Sequence, residues 1–333
     1  MKVVLCGGAG YIGSHVAHAF LERGYEVGVY DNLSTGLAEN IPPGASFYKG
    51  DIADGERLEA VLSEGWDGVV HLAAFKAAGE SMLEPEKYAL NNICGSLTLI
   101  DAAVKTRVRG FVLSSSAAVY GEPKYLPVDE SHPTNPENYY GFTKLEIERN
   151  LQWFDTLRGL RSASLRYFNA AGYDPENRVR GLEKNPANLI PVVMETAAGL
   201  REKVSIFGSN YPTPDGTGVR DYVHVNDLAE AHVTSLEYII RNDTSLTVNL
   251  GSESGLSVLQ ILESARRISG REIPAEFQDR REGDPAKLVA SSAKAQKLLG
   301  WKSRYSDLDT IIKTTWEAYR NQKNKRKTNG DRR

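Results

Sequence analysis

Tyr140 and Lys144 stand four residues apart in the run NYYGFTKLEIERN, and Gly7, Gly10 and Gly13 open the chain in GGAGYIG. On a helix, that spacing puts the phenol and the ammonium on one face. A free tyrosine has a pKa of about 10 and is a poor base at neutral pH. A neighbouring ammonium, together with the charge of an oxidised nicotinamide, favours the phenolate and lowers that value. The phenolate can then take the proton of a hydroxyl while hydride leaves the same carbon. Ser116 in SSSAAVYG, 24 residues before Tyr140, can hydrogen-bond that hydroxyl and relay its proton. Ser114 and Ser115 read as strand-end structure. Loop and pair together point to hydride chemistry on an alcohol, with Lys144 also donating to a nicotinamide ribose.

The loop follows an apolar strand at once and opens a helix. Gly7 permits the tight turn, Gly10 lets the backbone approach a pyrophosphate, and Gly13 packs helix against strand. Unpaired N–H groups and a partial positive charge at the helix start face the phosphates. Asp31 ends the next strand, 18 residues after Gly13. A carboxylate there accepts from both ribose hydroxyls and repels a 2′-phosphate, which favours NAD over NADP. Asp51 in KGDI is the candidate for holding the adenine; an N-cap of the helix begun by ERLEA is the competing reading.

The elements that must position these residues follow from periodicity. KVVLCG, YEVGVYD, SFYKGD, DGVVHLAA, RGFVLSSS and SASLRYFNAAG read as strands. SHVAHAFLERG, ERLEAVLSEG, 85–104 and 140–157 read as helices between them. This alternation predicts an α/β fold with a doubly wound, Rossmann-type parallel sheet, its strands apolar on both faces. After Phe168 come long stretches rich in Gly, Pro and Asn, the kind of loop that is more often functional than accidental. The expected division is an NAD-binding domain over 1–168, with 220–250 returning to it, and a smaller C-terminal substrate-binding domain mainly over 169–318. Residues 319–333 form a basic tail, expected to be frayed and solvated.

The chain has 333 residues, 41% of them hydrophobic, a net charge of −3 and a pI near 6.1. Neither nucleic acid nor a membrane is an expected partner. No apolar run approaches the ~20 residues of a membrane span. With a strand beginning at Lys2, no signal peptide is expected. Cys6 and Cys94 read as reduced, buried thiols, which fits the cytoplasm. His15, His18, His71, His132, His224 and His232 show no metal-ligand spacing, and no metal is expected.

GGAGYIGSH, DNLSTG, GDI, HLAAFKAAGES, SSSAAVYG, YYGFTK, LRYFNAAG, PTPDGTGVRDYVHVNDLA and RREGDPA occur in that order. Over roughly residues 1 to 318 the chain resembles the extended short-chain dehydrogenase/reductase family, and within it the UDP-hexose 4-epimerases. The PTPDGTGVRDYVHVNDLA run is the most diagnostic motif. The resemblance implies interconversion of UDP-galactose and UDP-glucose through a 4-keto sugar, with NAD tightly bound and regenerated each turnover. It implies a homodimer joined through the helices near 85–104 and 140–157.

It also implies a residue set. Tyr11, Ile12, Asp31, Asn32, Leu33, Ser34, Thr35, Gly36, Asp51, Ile52, Leu72, Ala73, Ala74, Phe75, Lys76, Asn91, Ser116, Tyr140, Lys144 and Phe168 would line the cofactor. Asn169, Asn188, Leu189, Arg220, Arg281 and Asp284 would hold the UDP-sugar, beside Ser116 and Tyr140. A guanidinium fork matches a diphosphate, which suits Arg220 and Arg281. Leu288 lies where the family tunes room for a 2-substituent, and its intermediate size leaves N-acetylated UDP-hexosamines open as substrates.

The chain departs from the pattern at Ala118, where relatives often carry Thr, and at Ala187, where they often carry Asn. A dehydratase of this fold commonly has Asp-Glu just after the catalytic Ser or Thr. Here Ala117 and Ala118 stand there, which disfavours elimination. A decarboxylase needs a cationic contact for a uronate that the sequence does not clearly supply. A non-catalytic NAD sensor would have lost Ser116, Tyr140 and Lys144.

Overall fold

The structure is a computed structural model. It describes residues 1–183, 186–281 and 284–330, with side chains described as far as Arg320. The first half alternates strand and helix: β1 (Lys2–Cys6), α1 (Tyr11–Glu22), β2 (Glu26–Asp31), β3 (Ser46–Lys49), α2 (Gly55–Leu62), β4 (Gly68–His71), α3 (Ala78–Ser81), α4 (Pro85–Tyr88), α5 (Gly95–Lys105), β5 (Gly110–Ser116), α6 (Tyr139–Arg158) and β6 (Ser162–Tyr167). The second half contains β7 (Asn169–Ala171), α7 (Leu189–Ala197), β8 (Val204–Phe207), β9 (Val219–Arg220), β10 (Tyr222–His224), α8 (Val225–Asn242) and β11 (Leu246–Leu250). β12 (Leu256–Ser257), α9 (Val258–Ser269), β13 (Ala275–Gln278), β14 (Lys287–Leu288), α10 (Ala293–Leu299) and α11 (Leu308–Gly330) complete it.

The central sheet has seven parallel strands in the order β11-β6-β5-β4-β1-β2-β3. Val3, Val4, Leu5, Val69, Val70, Phe111, Val112 and Leu113 are at most 1% exposed, because helices cover both faces of these strands. α1 and α8 line one face, and α2, α5 and α6 the other. Strand order reverses beside β1, so the ends of β1, β2, β4, β5 and β6 open onto one edge, where ligands of such sheets bind.

A second core joins α7, α9 and α11 through Ile190, Met194, Ile261, Leu262, Ile311 and Ile312. Small sheets β10-β7, β12-β9-β14 and β13-β8 lie in this half. The segment 220–250 supplies β10, α8 and β11, and β11 pairs with β6 in the central sheet.

Several expectations need correction. The strand read through SASLRYFNAAG breaks at Phe168, and its second part pairs with β10 instead of the main sheet. The helix expected over 85–104 contains a π-helical turn at Ala89–Cys94, which rotates the residues after it. Cys94, at the end of that turn, is exposed; of the two cysteines only Cys6 is buried as expected. α1 begins at Tyr11, directly on the glycine loop. α11 carries helical backbone to Gly330 through most of the tail expected to fray, since extending a docked helix needs no new nucleus. Residues 331–333 lie outside the described residues.

Candidate active site

Gly7 has φ +88°, and a Cβ there would sit 2.6 Å from Ala73 N. At Gly13 it would sit 2.3 Å from the Gly7 carbonyl oxygen. A side chain fits at neither place, so the loop lies flat and its amides stay open. Gly10 is the N-cap of α1 and places no side chain over them. Tyr11 offers only its backbone and ring here, because its hydroxyl donates to the Gly172 carbonyl. Its ring centre is 5.0 Å from that of Tyr173.

Asp31 is buried at the end of β2, with Oδ2 accepting from Ala9 N at 3.0 Å and Oδ1 from Leu33 N at 2.8 Å. Each oxygen keeps a lone pair for a further donor. Gly36 packs against this carboxylate and Ala9, while Asn32, Ser34 and Thr35 are exposed. Asp51 is not the N-cap of α2; Asp54 is, accepting from Arg57 N at 3.0 Å. Asp51 instead accepts from Ala53 N at 2.9 Å and from Asn32 Nδ2 at 2.8 Å, which fixes it beside the β2 turn. Ile52 is buried beneath it. A flat glycine loop before a helix start, with an anchored acid one strand over, fits a dinucleotide.

The next wall is the loop after β4. Leu72 N and Ala73 N both donate to the Cys6 carbonyl, at 2.8 and 2.9 Å. Asn92, on the π turn, accepts from Phe75 N and donates to Phe75 O, each at 2.9 Å. It also donates to Thr143 Oγ1 on α6 at 3.2 Å. Sequence reasoning named Asn91 and missed Asn92, the side chain that pins Phe75. Asn91 donates to Asn92 Oδ1 at 2.8 Å. The signal was the paired Asn in ALNNIC. Ala74 is half-buried in this loop, and Lys76 at its outer end pairs with Glu183.

Asn138 caps α6 by accepting from Gly141 N at 2.9 Å, and Tyr140 N donates to Ser81 Oγ at 3.0 Å. Tyr140 and Lys144 therefore start a well-anchored helix beside the end of β5. Lys144 Nζ donates to the Ser114 carbonyl at 2.8 Å and lies 6.0 Å from the centre of the Tyr140 ring. Burial pushes the Tyr140 phenol above its ordinary value, and its hydrogen bond with Ser116 opposes that rise. Burial pushes Lys144 down to about 8, with the Glu148 carboxylate opposing. The phenolate-favouring effect expected of Lys144 is thus not met by the protein alone. Desolvation dominates at Tyr140, and the Lys144 ammonium spends a hydrogen bond on the Ser114 carbonyl.

Ser114 and Ser115 do more than end a strand. His232 Nδ1–H donates to Leu228 O at 2.8 Å, so Nε2 accepts from Ser114 Oγ at 2.7 Å. Ser115 Oγ donates to Glu148 Oε1 at 2.5 Å. Alternation along β5 sends these two hydroxyls to opposite faces.

On the far side of the edge, Asn169 Nδ2 donates to Asp221 O at 2.9 Å. Asp221 is buried and accepts from Ser252 N, Ser252 Oγ, Glu253 N and Ala290 N, which ties the strand of Arg220 to two loops. Arg220 pairs with Asp284, and the guanidinium of Arg281 lies 3.7 Å from the centre of the Phe207 ring. Leu288 pairs with Arg220 in parallel register. Its side chain, with that of Phe168, packs on the cluster of Ala117, Val119, Tyr120, Val128 and Leu145 beside Ser116. Asn188 caps α7 with backbone alone and is exposed, leaving its amide free among the described contacts, with Leu189 half-buried next to it. Of the run around Arg281 and Asp284, residues 282 and 283 lie outside the described residues.

Fold and site together define a dinucleotide-dependent enzyme acting at a hydroxyl-bearing carbon. The profile of the NAD dependent epimerase/dehydratase family matches residues 3–251. The UDP-glucose 4-epimerase of Lacticaseibacillus casei is 46% identical over 96% of this chain and 97% of its own length. The crystal structure of UDP-glucose 4-epimerase from Brucella ovis in complex with NAD superposes with a TM-score of 0.93 at 42% identity, covering 96% of this chain and 98% of that one. The UDP-glucose 4-epimerase of Stenotrophomonas maltophila, with bound NAD and formylated UDP-arabinopyranose, gives 0.94 at 38% identity, covering 98% and 99%. The chain belongs to the NAD dependent epimerase/dehydratase family.

Proposed function

We propose that the chain is an NAD-dependent UDP-glucose 4-epimerase, interconverting UDP-galactose and UDP-glucose by inversion at sugar carbon 4 through a 4-keto sugar. The observation that carries this reading is the convergence of Tyr140, Lys144 and Ser116 at the sheet edge that the glycine loop and Asp31 also border. NAD, when bound, supplies the hydride acceptor and donor. Gly7, Gly10, Tyr11, Ile12 and Gly13 hold its phosphates, Asp31 to Gly36 its adenosine ribose, and Asp51 and Ile52 its adenine. Leu72 to Lys76, Asn91 and Phe168 line the remainder.

Tyr140 exchanges the proton of the sugar 4-hydroxyl, in contact with Ser116, first as base and then as acid. Lys144 holds the nicotinamide ribose and adds its charge to the site. Asn169, Asn188, Leu189, Arg220, Arg281 and Asp284 hold the nucleotide end, so that the keto sugar can present either face. Ala117 and Ala118, the positions after Ser116, carry no acid–base group for elimination, which favours epimerisation over dehydration.

The half-buried Leu288 leaves a second reading in which N-acetylated UDP-hexosamines are also accepted. The division into a nucleotide-binding part (1–168 with 220–250) and a substrate part (169–318) belongs to the same proposal. So does a homodimer: Leu90 is 65%, Trp153 64% and Leu157 61% exposed, on the segments expected to pair. The unpaired thiols of Cys6 and Cys94 suit the cytoplasm. Purified protein given UDP-galactose without added NAD is expected to yield UDP-glucose. A 4-keto-6-deoxy product, or no turnover, would overturn the assignment.

A further inference from the structure

Glu148 lies one helical turn beyond Lys144 and is 2% exposed. Its carboxylate accepts from Ser115 Oγ at 2.5 Å, from Arg166 Nε at 3.0 and 3.2 Å, and from Arg166 Nη2 at 2.5 Å. Arg166 in turn donates to Tyr120 Oη at 3.0 Å, and Tyr120 donates to Asn249 Oδ1 at 2.6 Å. One carboxylate therefore ties α6 to β5 and β6, and through Tyr120 to β11. Its grip on β5 falls on Ser115, between Ser114, whose carbonyl receives Lys144, and Ser116, which meets Tyr140.

We propose that Glu148 is a positioning residue for the reaction: it holds the end of β5 at the height where Ser114 and Ser116 engage Lys144 and Tyr140, and it sets a buried carboxylate one helical turn from the Lys144 ammonium. This inference rests on the epimerase reading. The groups around that ammonium are Tyr140 and Glu148 on its own helix and His71 on β4, with Arg166 and Tyr167 on β6 and His232 on α8 one contact removed. His71 and His232 are buried and neutral, and burial pushes the phenols of Tyr140 and Tyr167 up. Arg166 is cationic. Among these groups Glu148 is the one carboxylate, so losing its charge removes the interaction that opposes burial at Lys144 and releases the lysine proton at lower pH.

Holoenzyme with Glu148→Gln keeps an acceptor for Ser115 and loses the charge. Turnover of UDP-galactose is measured from about pH 6 to about pH 10 alongside bound NAD. The alkaline limb of kcat/KM is expected to move acidward by about one pH unit or more, with KM changing less than about threefold. Glu148→Asp, which withdraws the charge by one methylene, is expected to give a smaller shift in the same direction. It decides the matter alone if the Gln variant does not fold. A uniform loss of rate with an unmoved limb would make Glu148 merely structural and overturn the proposal. A parent enzyme that fails to convert UDP-galactose would instead overturn the epimerase reading.

Discussion

Lys144 Nζ lies 6.0 Å from the centre of the Tyr140 ring, yet its hydrogen bond goes to the Ser114 carbonyl at 2.8 Å. The lysine thus joins α6 to the strand that ends in Ser116. With both ionisable groups buried, each is held nearer to its neutral form than in water. A phenol in that state needs a second positive charge before it serves as a base. On the proposed mechanism, proton transfer by Tyr140 is expected to depend on cofactor occupancy.

Tyr140→Phe tests the transfer directly. It removes one hydroxyl, keeps the ring, and leaves the Tyr140 N–H bond to Ser81 intact. Turnover is expected to fall by ~10²–10⁴ with bound NAD and melting temperature unchanged. Near-normal turnover would remove Tyr140 from the mechanism.

Arg220 is expected to act on the nucleotide end, where a planar fork and a point charge differ. Its side chain is held by Asp284 and by a 2.9 Å bond to the Val219 carbonyl. Arg220→Lys keeps the charge and loses the fork, so KM for UDP-galactose is expected to rise at least ~10-fold with a smaller change in kcat. An equal fall in kcat at unchanged KM would place Arg220 away from the diphosphate.

Much of this architecture was legible because the strands are short, apolar and punctuated by glycine loops. Six of the seven strands of the main sheet, the helix bearing Tyr140 and Lys144, and Asp31 at the end of β2 all follow from local pattern, whereas β11 is not among the strands read from the sequence. What escaped was set by partners distant in sequence. The break at Phe168 depends on β10, more than 50 residues later, offering its own ladder to Asn169–Ala171. The π turn depends on Asn92 reaching Phe75 and Thr143 at once. The roles of Ser114, Ser115 and Glu148 depend on strand and helix faces meeting. The rise of the Tyr140 pKa is a burial effect that no spacing rule contains.

Leu288 offers a test of substrate range. It packs with Phe168 on the cluster beside the Ser116 turn, and on the proposed reading it is expected to bound the space for a 2-substituent. Leu288→Ala should raise turnover of UDP-N-acetylgalactosamine relative to UDP-galactose by about 10-fold, and Leu288→Tyr should lower it by a similar factor. A side chain of this size typically discriminates by ~1–3 kcal/mol. A ratio that moves with neither change would place the 2-substituent elsewhere.

Four buried histidines predict how the fold responds to acid. Burial pushes His15 and His232 down to about 4, and His71 and His224 down to about 3. Each is locked in a neutral role, as where His15 accepts from Asp174 N at 3.1 Å. Unfolded, each would titrate near 6.5. Between these values the unfolded chain binds more protons, so their contribution to stability is full above about pH 6.5 and is lost as pH falls. With about 1.4 kcal/mol per pH unit from each, the slope near pH 5 approaches ~5 kcal/mol per unit. Asp221 and Asp227, whose carboxyls burial pushes up, oppose this slope, but they are two against four. Chemical denaturation followed by circular dichroism from about pH 7 to about pH 4.5 should show stability collapsing across that window. A flat profile would mean that these imidazoles reach water, or gain counter-charges, before the chain unfolds.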